Sequence, residues 1–189
     1  MSIKKKNSTK ERIVKNTIRL IQASNGNPRT ITIRDIAQKA KVGVGLINYH
    51  FQSKDKLLGV CVQRIVTEKI LEFNERLNGL SEMDHIVEFS NLLLSFMINN
   101  PQFAKISILS DFVDPQENNN AHKIYNIIYE KTDFINIDTK RSLFTGILLQ
   151  AIQVGFLYRE YGDRTYGFDL LDDQQRKQYI QAVTKITFS

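Results

Sequence analysis

Side chains that could read DNA lie close together in the N-terminal third of this chain of 189 residues. Asn48 can pair through two hydrogen bonds with the edge of an adenine, and Val44 or Leu46 can contact the methyl group of a thymine. Tyr49 and His50 can donate to phosphate oxygens, which positions a protein on DNA without reading its sequence. The candidate DNA-binding residues are Thr32, Gly43, Val44, Leu46, Asn48, Tyr49, His50 and Lys54.

Two short helices are predicted to carry these side chains. Thr32 and Asp35 form a capping-box pattern that begins the first helix, and residues 41–43 break it with a glycine. Residues 44–51 are predicted as the second helix, and Ser53 is a cap for a third. Two short helices joined by a tight turn form a helix-turn-helix, whose second helix enters the major groove of DNA.

The second helix is predicted to have an inner and an outer face. Val42, Ile47 and Phe51 recur at intervals of four or five residues, so we expect them to fix the helix to a core. Lys54 adds a positive charge beside the N-terminus of the third helix, an arrangement that suits phosphate. The alternative is a pair of helices from an ordinary bundle, in which the consecutive aromatic residues of this stretch belong to the core.

The charge of the chain is divided unevenly. Residues 1–56 hold 13 Lys and Arg against 3 Asp and Glu, a net charge of +10, whereas the whole chain carries +6. The remaining residues therefore carry a net charge of −4. A basic segment on an acidic body indicates a polyanionic partner at one end of the molecule. Because the basic excess coincides with the helix-turn-helix, it favours DNA over a merely solvated basic face.

At these residues the chain resembles a known family. Residues 31–57, which read ITIRDIAQKAKVGVGLINYHFQSKDKL, are similar to the N-terminal DNA-binding region of TetR-family transcriptional regulators, and the resemblance covers residues 8–60. The matching positions are Ile36, Ala37, Val42, Gly45, Tyr49, His50, Phe51, Ser53, Lys54 and Leu57. The chain departs from the family pattern at Leu20-Ile21, where Leu-Phe is common, and at Asn48, where Tyr is common. The second departure leaves the operator sequence open.

The resemblance implies a dimeric, all-helical regulator, usually a repressor. We therefore predict an all-α fold with a three-helix DNA-binding head, joined by a long helix to a C-terminal helical domain for ligand binding and dimerisation. The head is predicted over residues 1–56, with a flexible basic tail at 1–7 before a helix that begins at Ser8. The later helices are predicted at 53–78, 82–99, 101–112, 121–134, 139–161 and from 172 onward, with Asp138 as a cap.

One helix near the C-terminus is apolar almost all the way round. Phe144, Leu148 and Ile152 could face the core of their own subunit, and an opposite face could meet a second copy. The resemblance implies dimerisation through the last two long helices. The predicted interface residues are Leu143, Ile147, Val154, Tyr158, Tyr179, Val183 and Ile186. The alternative is a central helix of a monomeric core.

Apolar and aromatic side chains could line a ligand cavity between the helices of the second domain. The candidates are Phe89, Leu93, Phe96, Met97, Phe103, Tyr125 and Tyr129. The same residues at helical spacing are also typical of a plain core. His85 and His122 lie far apart without Cys or acidic residues at a metal-like interval, so neither a metal nor another cofactor is predicted.

These observations favour a homodimeric transcriptional repressor, released from a palindromic DNA operator by an unidentified small molecule. A regulator without a small-molecule inducer is the nearest alternative. An enzyme is disfavoured because no phosphate loop, G-x-S-x-G or H-E-x-x-H motif is present, and a protein-interaction module would leave the basic head unexplained. A single cysteine, the lack of a signal-peptide pattern and the lack of a membrane span predict a cytoplasmic protein.

Overall fold

The computed structural model describes residues 2–24, 30–113 and 119–188. Within these residues the chain forms ten α-helices and no strand, so the predicted all-α fold is confirmed. The helices are α1 Ser2–Ala23, α2 Ile33–Ala40, α3 Val44–Phe51, α4 Lys54–Arg76, α5 Glu82–Asn99, α6 Pro101–Val113, α7 Asn120–Glu130, α8 Asp138–Leu157, α9 Gly162–Tyr166 and α10 Asp173–Phe188.

Three N-terminal helices and the start of α4 enclose the core of the head. Its fully buried side chains include Ile13, Ile21, Ile36, Ile47 and Leu57. α1 begins at Ser2, so the predicted helix start at Ser8 is wrong, and residues 2–7 continue the helix instead of forming a separate tail. These residues contain neither glycine nor proline and include three lysines, which are good helix formers. The turn predicted at 25–28 lies outside the described residues.

α4 belongs to both the head and the body. It packs on α1 and α3 in the head and on α5, α6 and α7 in the body. Ser53 accepts a hydrogen bond from the backbone N–H of Lys56 at 3.1 Å, which confirms the predicted cap. Leu57, Cys61 and Ile65 are buried, as their spacing predicts. A rigid element shared by two cores can transmit a movement from one to the other.

The core of the body is built around α5, α8 and α10, which pack on one another. Phe89, Leu93, Leu148, Ile152 and Ile180 have no exposed surface. The face of α8 that was predicted to serve its own subunit is therefore confirmed as a core face. None of the helices in the described ranges is long and apolar enough to cross a membrane.

Two helix ends differ from the sequence-based expectation. α7 ends at Glu130 and not at 134. There the Thr132 hydroxyl donates to the Tyr129 carbonyl at 2.6 Å, and Arg141 donates to the same carbonyl and to the Thr132 hydroxyl, both at 3.2 Å. These bonds satisfy the Tyr129 carbonyl, which in a longer helix would instead accept from a backbone N–H of the next turn. Asp138 is not a cap but lies in the first turn of α8, where its negative charge interacts favourably with the positive end of the helix dipole.

The second half of the predicted helix 139–161 is also interrupted. α8 stops at Leu157 and is followed by a short 3-10 turn, Arg159–Tyr161, and then by α9. Arg159 donates to the backbone carbonyl of Phe156 at 3.0 Å and so caps the end of α8. The loop that was predicted to begin at residue 165 therefore begins only after Tyr166, where α9 ends.

Candidate nucleic-acid interface

The turn of the helix-turn-helix is fixed by local hydrogen bonds. The Thr32 hydroxyl accepts from the backbone N–H of Asp35 at 3.1 Å, and the Asp35 carboxylate accepts from the Thr32 backbone N–H at 2.8 Å. These two bonds form the predicted capping box. At the other end of α2, Lys41 adopts a left-handed conformation with φ of 51°, and the backbone N–H of Val42 donates to the Ala37 carbonyl at 3.0 Å. This arrangement ends α2 sharply and turns the chain into α3.

α3 presents two different faces. Ile47 and Phe51 are buried against the head, while Val42 packs at the edge of the same core. The side chains on the opposite face remain exposed, with 44% of Leu46 and 66% of Tyr49 accessible. Such exposure of large apolar and aromatic groups is unusual unless a partner covers them.

The exposed face of α3 collects most of the predicted base-reading and positioning residues. Its members are Gly43, Val44, Leu46, Asn48 and Tyr49. A side chain added at Gly43 or Gly45 would meet no atom within 4 Å, so the surface is open there as well. Gly43 is the N-cap of α3 and offers no side chain to the first amides of the helix. A DNA backbone could therefore approach these amides closely.

His50 lies differently from its predicted neighbours. It is half-buried, with its ring 5.2 Å from that of Tyr49 and 6.2 Å from that of Phe51. The imidazole therefore packs between an exposed and a buried ring. It lies at the rim of the exposed face of α3 and not at its centre.

Two of the predicted DNA-binding residues already serve the fold. The Thr32 hydroxyl donates to the Asp35 carboxylate at 2.6 Å, and hydrogen bonds from the Thr32 side chain and backbone lower the pKa of Asp35. The ammonium of Lys54 donates to the backbone carbonyl of Ile31 at 3.1 Å, which ties the start of α4 to the residue before α2. Thr32 therefore acts as a helix cap, whereas Lys54 keeps two further N–H groups besides this one.

Two basic residues near this surface were not predicted as DNA contacts. Arg34 is exposed in the first turn of α2, and Lys10 lies with its ammonium 5.8 Å from the centre of the Phe51 ring. Their sequence signal was the charge excess of the head, because Arg34 lies in the first helix of the helix-turn-helix and not in α3, and Lys10 lies in α1. Both add positive charge around α3.

The predicted ligand residues separate into three groups. Leu93, Phe96 and Met97 line a cavity between α4, α5, α6, α7 and α8. Phe89 and Phe103 are buried in the core and do not line this cavity. The other two, Tyr125 and Tyr129, stack on each other with ring centres 5.8 Å apart, and Arg141 lies 4.3 Å from the centre of the Tyr129 ring. These interactions hold the two tyrosines at the surface of α7.

Polar residues that the sequence analysis missed also line this cavity. They are Ser107, Asp111, Asn120 and Gln153, and all four side chains are at least nine-tenths buried. Asp111 accepts from Gln63 Nε2 and from the Ala121 backbone N–H, each at 3.0 Å. Burial raises the pKa of Asp111, although these two hydrogen bonds and the charge of Lys123 act in the opposite direction. No periodic pattern in the sequence indicates this cluster, since its members come from three helices.

Five of the seven predicted dimer residues form an exposed apolar surface on α8 and α10. They are Leu143, Ile147, Val154, Tyr158 and Ile186. Val183 is partly buried beside them. Tyr179 is only 5% exposed, and its hydroxyl donates to the Ala151 carbonyl at 2.9 Å. Its ring packs against Gly155 of its own α8 and lines one open groove together with Leu143, Ile147 and Val154, so it contributes little exposed area to this surface.

Comparison with known proteins agrees with this geometry. The family described as bacterial regulatory proteins, tetR family, matches residues 22–61, which contain the helix-turn-helix and the start of α4. Among solved structures, the transcriptional regulator SCO7222, a TetR from Streptomyces coelicolor, superposes with a TM-score of 0.64 at 16% sequence identity, over 95% of each chain. No curated protein matches the chain. The family resemblance and the arrangement of a helix-turn-helix head on a helical body are thus confirmed.

Proposed function

We propose that this chain, a DNA-binding transcriptional regulator with a tetR-family head on a TetR-like fold, is a homodimeric repressor of a palindromic operator. Release from the operator by a small molecule that binds in the body completes the proposal. The observation that carries it is the exposed face of α3, whose apolar and amide side chains stand on a head with a net charge of +10 over residues 1–56.

Sequence reading is assigned to α3. Asn48 lies on the exposed face, one turn from the exposed Val44, so an amide and an aliphatic group point to the same side of the helix. An amide suits adenine and an aliphatic group suits the methyl of thymine, which together favour A·T pairs in part of the operator. The basic residues around α3 supply the contacts to phosphate that do not depend on sequence.

Dimerisation follows from the single head of each chain and from the apolar surface of α8 and α10. One recognition helix reads only a few base pairs, and a twofold dimer places two of them about one helical turn, roughly 34 Å, apart. The exposed apolar surface described above contains no charged residue among its five members, and depletion of charge is typical of the core of a protein interface. A twofold contact would cover this surface with its own copy.

The experiment is the selection of random duplex DNA by the purified protein at two salt concentrations, followed by sequencing. A palindrome with half-sites about one turn apart is expected at both concentrations. Recovery of no common sequence, with binding that disappears at the higher salt concentration, would reduce the protein to a general DNA binder.

Two variants separate base reading from charge. Asn48→Ala should lose preference at one position in each half-site, at a cost of ~1–3 kcal/mol per contact, while other positions keep theirs. Lys54→Ala serves as the comparison, because removal of a phosphate contact weakens binding to every sequence alike and reduces the salt slope by about one. Equal losses on all sequences for Asn48→Ala would refute its role in base reading.

A further inference from the structure

We infer that the cavity of the body binds a small molecule with a protonated amine on an apolar chain, and that the amine binds to Asp111. This inference rests on the ligand-responsive part of the proposed function and names the chemical class of the ligand. Three independent features of the cavity carry it: a buried carboxylate, an unpaired buried amide and apolar walls.

The buried carboxylate is the first feature. Asp111 is 9% exposed and accepts one hydrogen bond on each oxygen, from Gln63 Nε2 and from the Ala121 backbone N–H. A carboxylate has about four acceptor positions, so both oxygens can accept further hydrogen bonds. Within the described part of the chain no Lys or Arg forms an ion pair with Asp111. A charge this deeply buried is normally paired, which a cationic ligand would achieve.

The charge of Lys123 acts on Asp111, but the two side chains form no ion pair. Lys123 donates to the Thr67 hydroxyl at 2.9 Å, and Thr67 donates in turn to Asn120 Oδ1 at 2.8 Å. Asn120 uses its own amide N–H groups on Ser107 Oγ at 3.1 Å and on the Gln63 carbonyl at 3.3 Å. Lys123 is therefore held at the Thr67 hydroxyl, and Asp111 lines the cavity without an ion-pair partner in the described part of the chain. An anionic ligand would be repelled by this carboxylate.

The unpaired amide is the second feature. Gln153 lines the cavity and is 3% exposed, and its side-chain amide forms no hydrogen bond within residues 2–24, 30–113 and 119–188, so its remaining accessible surface faces the cavity. A buried amide without a partner costs free energy, so such a group in a native structure calls for an explanation. A ligand with a polar head between Gln153 and Asp111 provides one.

The apolar walls are the third feature. The remaining lining residues are mostly aliphatic or aromatic: Val66, Leu93, Phe96, Met97, Ala104, Ile108, Ala121 and Ile124. These walls suit a hydrocarbon chain, and the few polar groups at one side suit a single head group. The combination selects an amphiphilic cation over a sugar, a nucleotide or a free metal ion.

The cavity has to expand to accept such a molecule. Only about 10 Å³ is open to a water molecule, enough for about one, whereas small-molecule pockets measure about 300–1,000 Å³. The bonds from Gln63 and Thr67 of α4 to Asp111 of α6 and Asn120 of α7 hold the cavity closed. An amine that takes the place of Gln63 on Asp111 would weaken the contact between α4 and α6 as it enters.

The test compares three compounds with the same apolar chain: n-hexylammonium, 1-hexanol and hexanoate. Binding to the full chain is measured by titration calorimetry near neutral pH. Hexylammonium should bind about tenfold or more tightly than hexanol, because a hydrogen bond to a charged group is stronger than one to a neutral group. Hexanoate should bind most weakly. A wild-type protein that does not prefer hexylammonium over hexanol overturns the inference.

Two variants assign the preference to the cavity. Asp111→Asn should bind hexylammonium and hexanol about equally, while Glu130→Gln, the same change at an exposed position of α7, should keep the preference. Gln153→Leu should weaken hexylammonium binding, and it decides the question if Asp111→Asn does not fold. A preference that survives in Asp111→Asn, or affinities unchanged in Gln153→Leu, would refute the assignment.

The failure of this inference is distinguishable from failure of the proposed function. The DNA selection uses no added compound, so a missing amine preference leaves a sequence-specific regulator in place. Conversely, a protein that selects no DNA sequence can still be titrated with the three compounds.

Discussion

The substitution Ile147→Lys tests the dimer that the proposed function requires. Ile147 lies on α8 in the middle of the exposed apolar surface, and 52% of it is accessible in the single chain. Full burial of an isoleucine side chain stabilises by about 1.5–3 kcal/mol, so covering the exposed half contributes about 1 kcal/mol. In a twofold interface each substitution occurs twice, which gives a loss of about 2 kcal/mol, or a dimer dissociation constant about 30-fold higher. Burial of two lysine charges would add to this loss.

Sedimentation equilibrium over a range of protein concentrations measures the effect directly. The control is Leu71→Lys on α4, since Leu71 is 51% exposed and the change in charge and size is similar. Both substitutions should leave the stability of the single chain within about 0.5 kcal/mol, because both positions lie at the surface. A dissociation constant that is unchanged in Ile147→Lys, or raised equally in Leu71→Lys, would show that this face of α8 does not form the interface.

Two further predictions concern titratable groups. Burial raises the pKa of the Cys61 thiol to about 12, and the side chain is fully covered. Iodoacetamide near neutral pH should therefore modify this thiol only as the protein unfolds. Mass spectrometry follows the modification, and rapid modification of the native protein would contradict the prediction. The pKa of Asp111 is raised in the folded state, so as pH rises the unfolded chain loses this proton at a lower pH than the folded protein does. The free energy of unfolding should therefore fall as pH rises from the ordinary aspartate range to the raised pKa. Denaturant titrations across that range should show Asp111→Asn gaining stability relative to wild type with rising pH, and a constant difference would contradict the assignment.

The head could be predicted from sequence because its signals are local. Thr32 with Asp35, and Ser53 with the amide three residues later, are caps whose partners lie within one turn of the chain. The faces of α3 also follow from spacing alone, since Ile47 and Phe51 lie four residues apart and are buried together. Such features depend on residues that are already neighbours in the sequence.

The features that were missed depend on distant partners. At the end of α7 the Tyr129 carbonyl accepts not only from the nearby Thr132 but also from Arg141, which lies 12 residues further along the chain. The low exposure of Tyr179 was also not predictable, because helical spacing cannot show which neighbour covers a face, and here Gly155 of α8 leaves room for its ring. Asp111 looked like the end of a helix beside a loop, so its burial could not be read from the sequence.

Gln63 is the residue through which a ligand in the cavity could alter DNA binding. A ligand changes the affinity for DNA only if it binds two arrangements of the protein with different affinity. An amine that joined Asp111 and left Gln63 in place would bind both arrangements equally and would not release DNA. Displacement of Gln63 meets the requirement, since Gln63 lies on α4, the helix that Lys54 ties to the head at its start.

The variant Gln63→Leu separates these two cases. The variant lacks the hydrogen bond from Gln63 of α4 to Asp111 of α6 even without a ligand. Amine binding therefore cannot break this bond in the variant, as it does in wild type. Hexylammonium should therefore lower the operator affinity of wild type and have a much smaller effect on Gln63→Leu, as measured by fluorescence anisotropy of a labelled operator. The exposed Gln174→Leu on α10 provides a matched control. An equal response in wild type and in Gln63→Leu would mean that the cavity acts on the head by a route that does not include this hydrogen bond.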